Sequence, residues 1–315
     1  MTTLRAFAYS GWEGRVGVAP PVPAAGQATE RAAMVVDDTS RRDGNGQAGS
    51  GPAVMAPGLD TSVAHPARIW DYFLGGKDNF AAERAAAQGV LEVMPTMAMV
   101  ARAGRAFLAA AVHYLATTGG VSQFLDIGTG LPTANNTHEV AQRANKQARI
   151  VYVDNDPIVL AHARALLTSG PDGRTACVDA DLRDTDQILA QAARTLDFSQ
   201  PVAVMLLAVL HFVADAEDPY AITSRLLATL PAGSFLVLSH ASSDIETEPV
   251  AAGTARYNQR SAVPITPRNR AQVTRFFDGM DIVEPGVVPL GQWHPGPQQF
   301  GSPGLPTYCA VGRKR

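Results

Sequence analysis

The sequence predicts an α/β fold in which helices cover both faces of a mostly parallel sheet and the last strand runs antiparallel. Two observations lead to this prediction. After about residue 120, short apolar runs alternate with segments of helical periodicity, a pattern typical of parallel sheets. Near the C-terminus, two apolar segments, DIVEPGVV and PTYCAVGR, have no helical segment between them, and only a hairpin-like return fits that spacing.

Composition excludes several other classes of protein. The chain has 315 residues, of which 46% are hydrophobic and 17% are charged, so it can bury a sizeable core. Its formal net charge of −3 gives no general attraction to nucleic acids or anionic membranes. The 2 cysteines do not form the pattern of a disulfide scaffold or a cysteine-ligated metal centre. Because neither a signal peptide nor a run of about 20 apolar residues is present, a soluble, cytoplasmic protein is expected.

Residues 1–57 are predicted to form a disordered N-terminal extension. They contain one leucine, no isoleucine, eight glycines and five prolines, so they cannot bury enough apolar surface to offset the entropy cost of ordering. Met34 and Met55 are alternative candidate start sites, which leaves open whether the extension is translated. The folded domain is expected to span residues 58–315.

Residues 58–119 are predicted to add helices in front of the sheet. The segment HPARIWDYFLGG has an apolar helical face and ends in two glycines, which are typical of a helix end. A second helix is expected to begin near residue 78. A third follows Pro95, with apolar residues at helical spacing up to Gly119.

Residues 120–315 are predicted to form the sheet and its covering helices. Before the two terminal segments, strands are expected at residues 124–127, 149–153, 175–178, 202–207 and 234–238. Helices are expected to begin near Thr133, Pro157, Arg183, Pro219 and Thr266. Asp218 is placed to cap the helix that begins at Pro219.

A glycine-containing turn, DIGTGLP, follows the first strand and precedes a helix. Gly128 and Gly130 let a ligand approach the backbone, and the helix N-terminus offers unpaired N–H groups. Thr133 occupies the third glycine position of the dinucleotide fingerprint, so that match is incomplete. Asp126 would repel a pyrophosphate at this turn but would bind an ammonium group.

Acidic residues also follow the second and third strands. Asp154 ends the second strand and could accept hydrogen bonds from both hydroxyls of a ribose. Asp181 follows the third strand and could accept one from an adenine amine, although Asp179 or Asp184 could take its place. Because parallel strands end at the same sheet edge, these acids are expected to line one crevice.

These segments resemble the motifs of a known family. LDIGTGLP, VYVDNDP and VDADLRD resemble three cofactor motifs of class I S-adenosylmethionine-dependent methyltransferases, and AVLHFV resembles their fourth-strand segment. Over about residues 58–315, the chain resembles an actinobacterial S-adenosyl methyltransferase family, from which it departs at Gly104, where an asparagine is expected. The resemblance implies a Rossmann-like, seven-stranded sheet and S-adenosyl-L-methionine bound by Asp126, Gly128, Gly130, Asp154, Asp181 and Leu182.

The resulting functional prediction is methyl transfer from S-adenosylmethionine to a small-molecule acceptor with an N, O or C nucleophile. His211 is the candidate catalytic residue, because it follows the fourth strand and could accept a proton from the acceptor. The competing interpretation is a hydrogen-bonded histidine that shapes the pocket.

Other functions and partners are weighed against this prediction. The main alternative is a non-catalytic protein that binds S-adenosylmethionine as a sensor or interaction module. An NAD-dependent oxidoreductase is disfavoured by Thr133 in the glycine position. No metal, nucleic-acid partner or membrane partner is predicted, and the sequence does not indicate an oligomeric state.

Overall fold

The computed structural model describes residues 61–166, 172–294 and 304–315. The predicted disordered extension, residues 1–57, lies outside these described residues. In the described part, no helix is long and apolar enough to cross a membrane.

The predicted sheet is confirmed. Strand order is β3-β2-β1-β4-β5-β8-β6, with a short additional strand, β7, also paired to β8. The strands β1 to β5 pair in parallel, and β8 pairs antiparallel to β5, β6 and β7. Within the described residues the strands are Gln123–Ile127 (β1), Arg149–Asp154 (β2), Arg174–Asp179 (β3), Ala203–Leu207 (β4), Phe235–Ala241 (β5), Met280–Ile282 (β6), Val288–Leu290 (β7) and Leu305–Lys314 (β8).

The DIVEPGVV segment differs from its prediction as one strand. It contributes to two short strands, β6 and β7, which both pair with β8. Pro285 has no N–H to donate to a ladder, and Gly286 has a left-handed φ of 92°. These two residues interrupt the strand, so the sheet has eight strands in the described part instead of seven.

The helices follow the predicted alternation. Within the described residues they are Pro66–Leu74 (α1), Ala81–Leu91 (α2), Met97–Thr117 (α3), Thr137–Ala144 (α4), Pro157–Leu166 (α5), Thr185–Ala192 (α6), Pro219–Ala228 (α7), Thr247–Asn258 (α8) and Arg270–Thr274 (α9). The predicted cap of α7 is confirmed, because the Asp218 carboxylate accepts the Ala221 N–H at 3.0 Å.

Two predicted helix starts lie four residues before the observed ones, and one further helix was not predicted. Helix α4 begins at Thr137 instead of near Thr133, and α9 begins at Arg270 instead of near Thr266. Asn269 caps α9 by accepting the N–H of Gln272 at 2.9 Å. Helix α8 was not predicted, since Pro249 and Gly253 interrupt its sequence and few of its residues are large and apolar.

Side chains from the sheet alternate between two hydrophobic layers. Phe124 of β1 packs into the layer beneath α3 and α4, whereas Leu125 and Ile127 pack into the layer beneath α6 and α7. A third cluster joins α1, α2 and α8 through residues that include Ile69, Phe73, Val90, Val250 and Tyr257. Helices α1 and α2 therefore pack with α8 as a layer of their own, whereas α3 covers the sheet.

Candidate functional site

The turn after β1 brings the backbone close to the neighbouring strands. Gly128 and Gly130 have left-handed φ angles of 73° and 65°. A Cβ on Gly128 would lie 2.6 Å from Cγ2 of Val209, which follows β4, whereas a Cβ on Gly130 would meet no atom of the described residues within 4 Å. Gly128 is therefore required for packing, and Gly130 leaves open space at the turn.

Asp154, the last residue of β2, organises this turn. Its Oδ2 accepts the N–H of Gly130 at 2.9 Å, and its Oδ1 accepts the N–H of Asp156 at 3.0 Å. Burial raises the pKa of the Asp154 carboxyl, and these two backbone hydrogen bonds oppose the shift. Each oxygen retains capacity to accept a further bond, for example from a ligand hydroxyl.

Asp126, in β1, is buried beside the start of α4. Its Oδ2 accepts the Thr137 hydroxyl at 2.6 Å. Burial raises the pKa of the Asp126 carboxyl to about 6, although the Thr137 hydrogen bond and the positive charge of Arg105 oppose this rise. A cationic ligand group at this position would favour the ionised carboxylate.

Arg105, from α3, is a site residue that the sequence analysis missed. It lines the same cavity as Asp126. Its Nη2 donates to the carbonyls of Ala134 and Asn135, both at 3.1 Å, whereas its buried Nε has no hydrogen-bond partner within the described part of the chain. A buried donor without a partner is costly, and a ligand carboxylate would satisfy it.

A sequence signal for Arg105 does exist. Ala101 and Leu108 lie four residues before and three residues after it, and both are buried in α3. Arg105 therefore falls in the register of the apolar face, where an arginine is unusual.

Asp181 is the acid after β3 that lines the cavity. Its carboxylate accepts hydrogen bonds from Asn155 at 3.0 Å and from the Arg183 side chain at 3.1 Å. The competing candidates lie elsewhere: Asp184 caps α6, and Asp179 is exposed and does not line the cavity. Leu182, which is buried, provides an apolar surface beside Asp181.

His211 lies in a short 3₁₀ turn, Leu210–Phe212, after β4. Only 8% of its surface is exposed, it lines the cavity, and its Nδ1 has no hydrogen-bond partner among the described residues. Burial lowers the pKa of His211 well below its usual range, and His240 and Arg268 act in the same direction. The imidazole is therefore neutral at pH 7 and can accept a hydrogen bond.

Arg268 stabilises the 3₁₀ turn through hydrogen bonds to its backbone. Its fully buried guanidinium donates to the carbonyls of Leu210 at 3.1 Å and Val213 at 2.8 Å, and it pairs with Asp215 at 2.7 Å. It also donates to Nε2 of His240 at 2.8 Å, so the Nδ1 of His240 carries the hydrogen that bonds to the Ala241 carbonyl. These contacts fix the position of His211.

A cavity of about 270 Å³ joins these groups. All the sequence-predicted site residues line it, namely Asp126, Gly128, Gly130, Asp154, Asp181, Leu182 and His211. Its far side is formed by α1, the loop before α3, α3 and α8. In the described part of the chain, no group of three or more His, Cys, Asp or Glu side chains could hold a metal ion.

Comparisons with known proteins give one consistent result. A family model described as S-adenosyl methyltransferase matches residues 52–315. A DUF574 family protein from Streptomyces avermitilis is 42% identical with a TM-score of 0.78, and the match covers 81% of this chain and 99% of that chain. A candidate methyltransferase from Thermobifida fusca is 37% identical with a TM-score of 0.74, covering 82% of this chain and 98% of that chain. No functionally curated protein matches significantly.

Proposed function

The chain belongs to the S-adenosyl methyltransferase family, and from this premise we propose that it transfers the methyl group of S-adenosylmethionine to a small-molecule acceptor. When bound, the cofactor supplies an electrophilic methyl group on a sulfonium sulfur. The residues of the chain then have three tasks, which are to bind the cofactor, to orient the acceptor and to exclude water.

The order of charges along the strand edge carries this proposal. Asp126 binds the ammonium group of the methionine moiety. The Arg105 Nε, which has no partner among the described residues, donates to the carboxylate of the methionine moiety. Asp154 accepts from the ribose hydroxyls, beside the open space at Gly130. Asp181 and Leu182 bind the adenine. The fit to the cofactor rests on this complementarity of donors, acceptors and charges.

The acceptor side supports a small molecule. The whole cavity, which includes the proposed cofactor groups as well as His211, has a volume of about 270 Å³, close to the lower end of the roughly 300–1,000 Å³ of small-molecule sites. His211 accepts a hydrogen bond from the N–H or O–H of the acceptor. This hydrogen bond orients the lone pair of the acceptor atom towards the methyl group. A cavity of this size supports a small-molecule acceptor over a nucleic acid.

The transfer balances without a further reactant. Held by Asp126, Asp154 and Asp181, the cofactor would supply an electrophilic methyl carbon and a sulfur that would take up the electron pair of the sulfur–carbon bond as a neutral thioether. His211 is neutral because burial lowers its pKa, so it accepts a hydrogen bond from the acceptor, whose proton is released to water.

Titration calorimetry with S-adenosylhomocysteine tests this proposal. The wild-type chain should bind one molecule, and NADH should not bind. Asp154→Ala should weaken binding at least ~10-fold, because it removes charge-assisted ribose contacts and frees the Gly130 N–H. Asp179→Ala, at an exposed acid outside the cavity, and His211→Ala, on the acceptor side, should each change the affinity less than about twofold. Binding of NADH without binding of S-adenosylhomocysteine would contradict the proposal.

A further inference from the structure

The cavity extends beyond the proposed cofactor groups into a region between α1, the loop before α3, and α8. We infer that this region binds an uncharged, largely aromatic methyl acceptor, whose accepting hydroxyl or amine lies at His211. The inference rests on the proposed function and adds to it the chemical class of the acceptor.

Large apolar side chains form the walls of this region. Trp70 and Phe73 of α1 contact each other edge-to-face, with ring centroids 6.5 Å apart. Met94 and Met97 line the same side, and unbranched methionines adapt their shape to flat rings. Val250 of α8 completes this side of the wall. Such walls gain binding free energy from ligand apolar area.

A row of aromatic rings leads from His211 into this region. The ring of Phe212 lies 4.4 Å from His211 and 6.3 Å from Tyr257 of α8, measured between centroids. The planes of Phe212 and Tyr257 are tilted by 33°. All three residues line the cavity. A planar ligand can pack against this row while its polar atom reaches His211.

Permanent charges are confined to the other end of the cavity. Among the described lining residues, the charged ones are Arg105, Asp126, Asp154, Asp181 and Arg183, which lie at the strand edge or beside its acids. His65, which precedes α1, also lines the cavity, and its Nδ1 is already paired with the Asp156 carboxylate at 2.8 Å. The described lining residues between 66 and 100, and between 250 and 265, carry no charge. An ionised acceptor would therefore lose water of hydration without gaining a counter-charge, which disfavours it.

Three probes of the same shape test this inference. 2-Naphthol, naphthalene-2-carboxylate and 2-(aminomethyl)naphthalene, which are neutral, anionic and cationic at pH 7, are titrated into the chain with and without saturating S-adenosylhomocysteine. 2-Naphthol should bind at least ~10-fold more tightly than either charged probe. A charged probe that binds as tightly as 2-naphthol would overturn the inference.

A charge placed on the apolar wall should reverse this preference. Met97 is the first residue of α3 and lines the cavity, and Met99, in the same turn, is 48% exposed and does not line it. A carboxylate is favourable in the first turn of a helix, so both Met97→Glu and Met99→Glu should fold. Met97→Glu should weaken 2-naphthol binding at least ~10-fold and strengthen binding of the cationic probe, whereas Met99→Glu should leave both affinities within about twofold.

A second pair of variants tests the same region by volume. A Cβ on Gly104 would lie 3.5 Å from Cζ2 of Trp70, so Gly104→Leu adds bulk to the cavity, whereas Ala106→Leu adds it to an exposed position of the same helix. Only Gly104→Leu should weaken 2-naphthol binding. Unchanged binding in both Met97→Glu and Gly104→Leu would overturn the inference. If the wild-type chain does not bind S-adenosylhomocysteine, this result would instead contradict the proposed function.

Discussion

At the scale of single residues, the charge on Asp126 is sensitive to pH near neutrality. Burial raises the pKa of its carboxyl to about 6, so it is mostly ionised at pH 7 and gains a proton as the pH falls through 6. The groups that act on it are the Thr137 hydroxyl, the cation of Arg105 and the carboxylate of Asp154. If Asp126 binds the cofactor ammonium, affinity depends on its ionised form.

We therefore expect S-adenosylhomocysteine to bind about 10-fold more weakly at pH 5 than at pH 7, since only about a tenth of the carboxyl groups are ionised one unit below the pKa. Calorimetry over this pH range measures the effect. Asp126→Asn should bind weakly at pH 7 and lose most of the pH dependence. An equally steep dependence in Asp126→Asn would assign the titration to another group, with Asp154 the first candidate.

At the scale of elements, the turn between β1 and α4 contains two glycines with different requirements. Both have a left-handed φ, so an alanine at either position is strained by about 1–2 kcal/mol. Only at Gly128 would the added Cβ also collide with Val209, a stiff, β-branched residue two positions before His211. Gly128 therefore couples the turn to the loop that carries His211.

Gly128→Ala should accordingly destabilise the chain more than Gly130→Ala. We expect Gly130→Ala to lower the free energy of unfolding by about 1–2 kcal/mol, from backbone strain alone. For Gly128→Ala, overpacking should add roughly 1–3 kcal/mol. Urea unfolding measures the difference. If the dependence of the unfolding free energy on urea concentration is the same in both variants, the urea concentrations at half unfolding can be compared directly. Equal losses in both variants would show that Val209 moves away without cost.

Elements with a regular pattern could be predicted from the sequence, and those without it could not. The strand β1 was predicted because a compact apolar run precedes the glycine turn. Helix α8 was not, because Val250, Gly253 and Tyr257 are its buried residues and the pattern is sparse. Packing of α8 against α2 and its neighbours in the third cluster stabilises a helix that its own sequence predicts poorly.

At the scale of the whole molecule, the boundary of the folded domain is a prediction that truncation can test. The family match begins at residue 52, and composition predicts no core-forming role for the preceding segment. Removal of residues 1–51 should leave both the thermal unfolding midpoint and the affinity for S-adenosylhomocysteine unchanged. Differential scanning calorimetry and titration calorimetry measure the two quantities. Loss of either would assign a structural or binding role to the removed segment.

The sequence by itself determined the alternation of β1 to β5 with helices and the residues at the ends of these strands. Local patterns predict where each strand ends, and parallel strands end at a common edge of the sheet. The sequence therefore identifies three acids at this edge, Asp126, Asp154 and Asp181. The tertiary structure decided what depends on contacts between distant segments. It placed Arg105 beside Asp126 and raised the pKa of that carboxyl through burial. Burial and long-range packing depend on the whole chain, and no local pattern contains them.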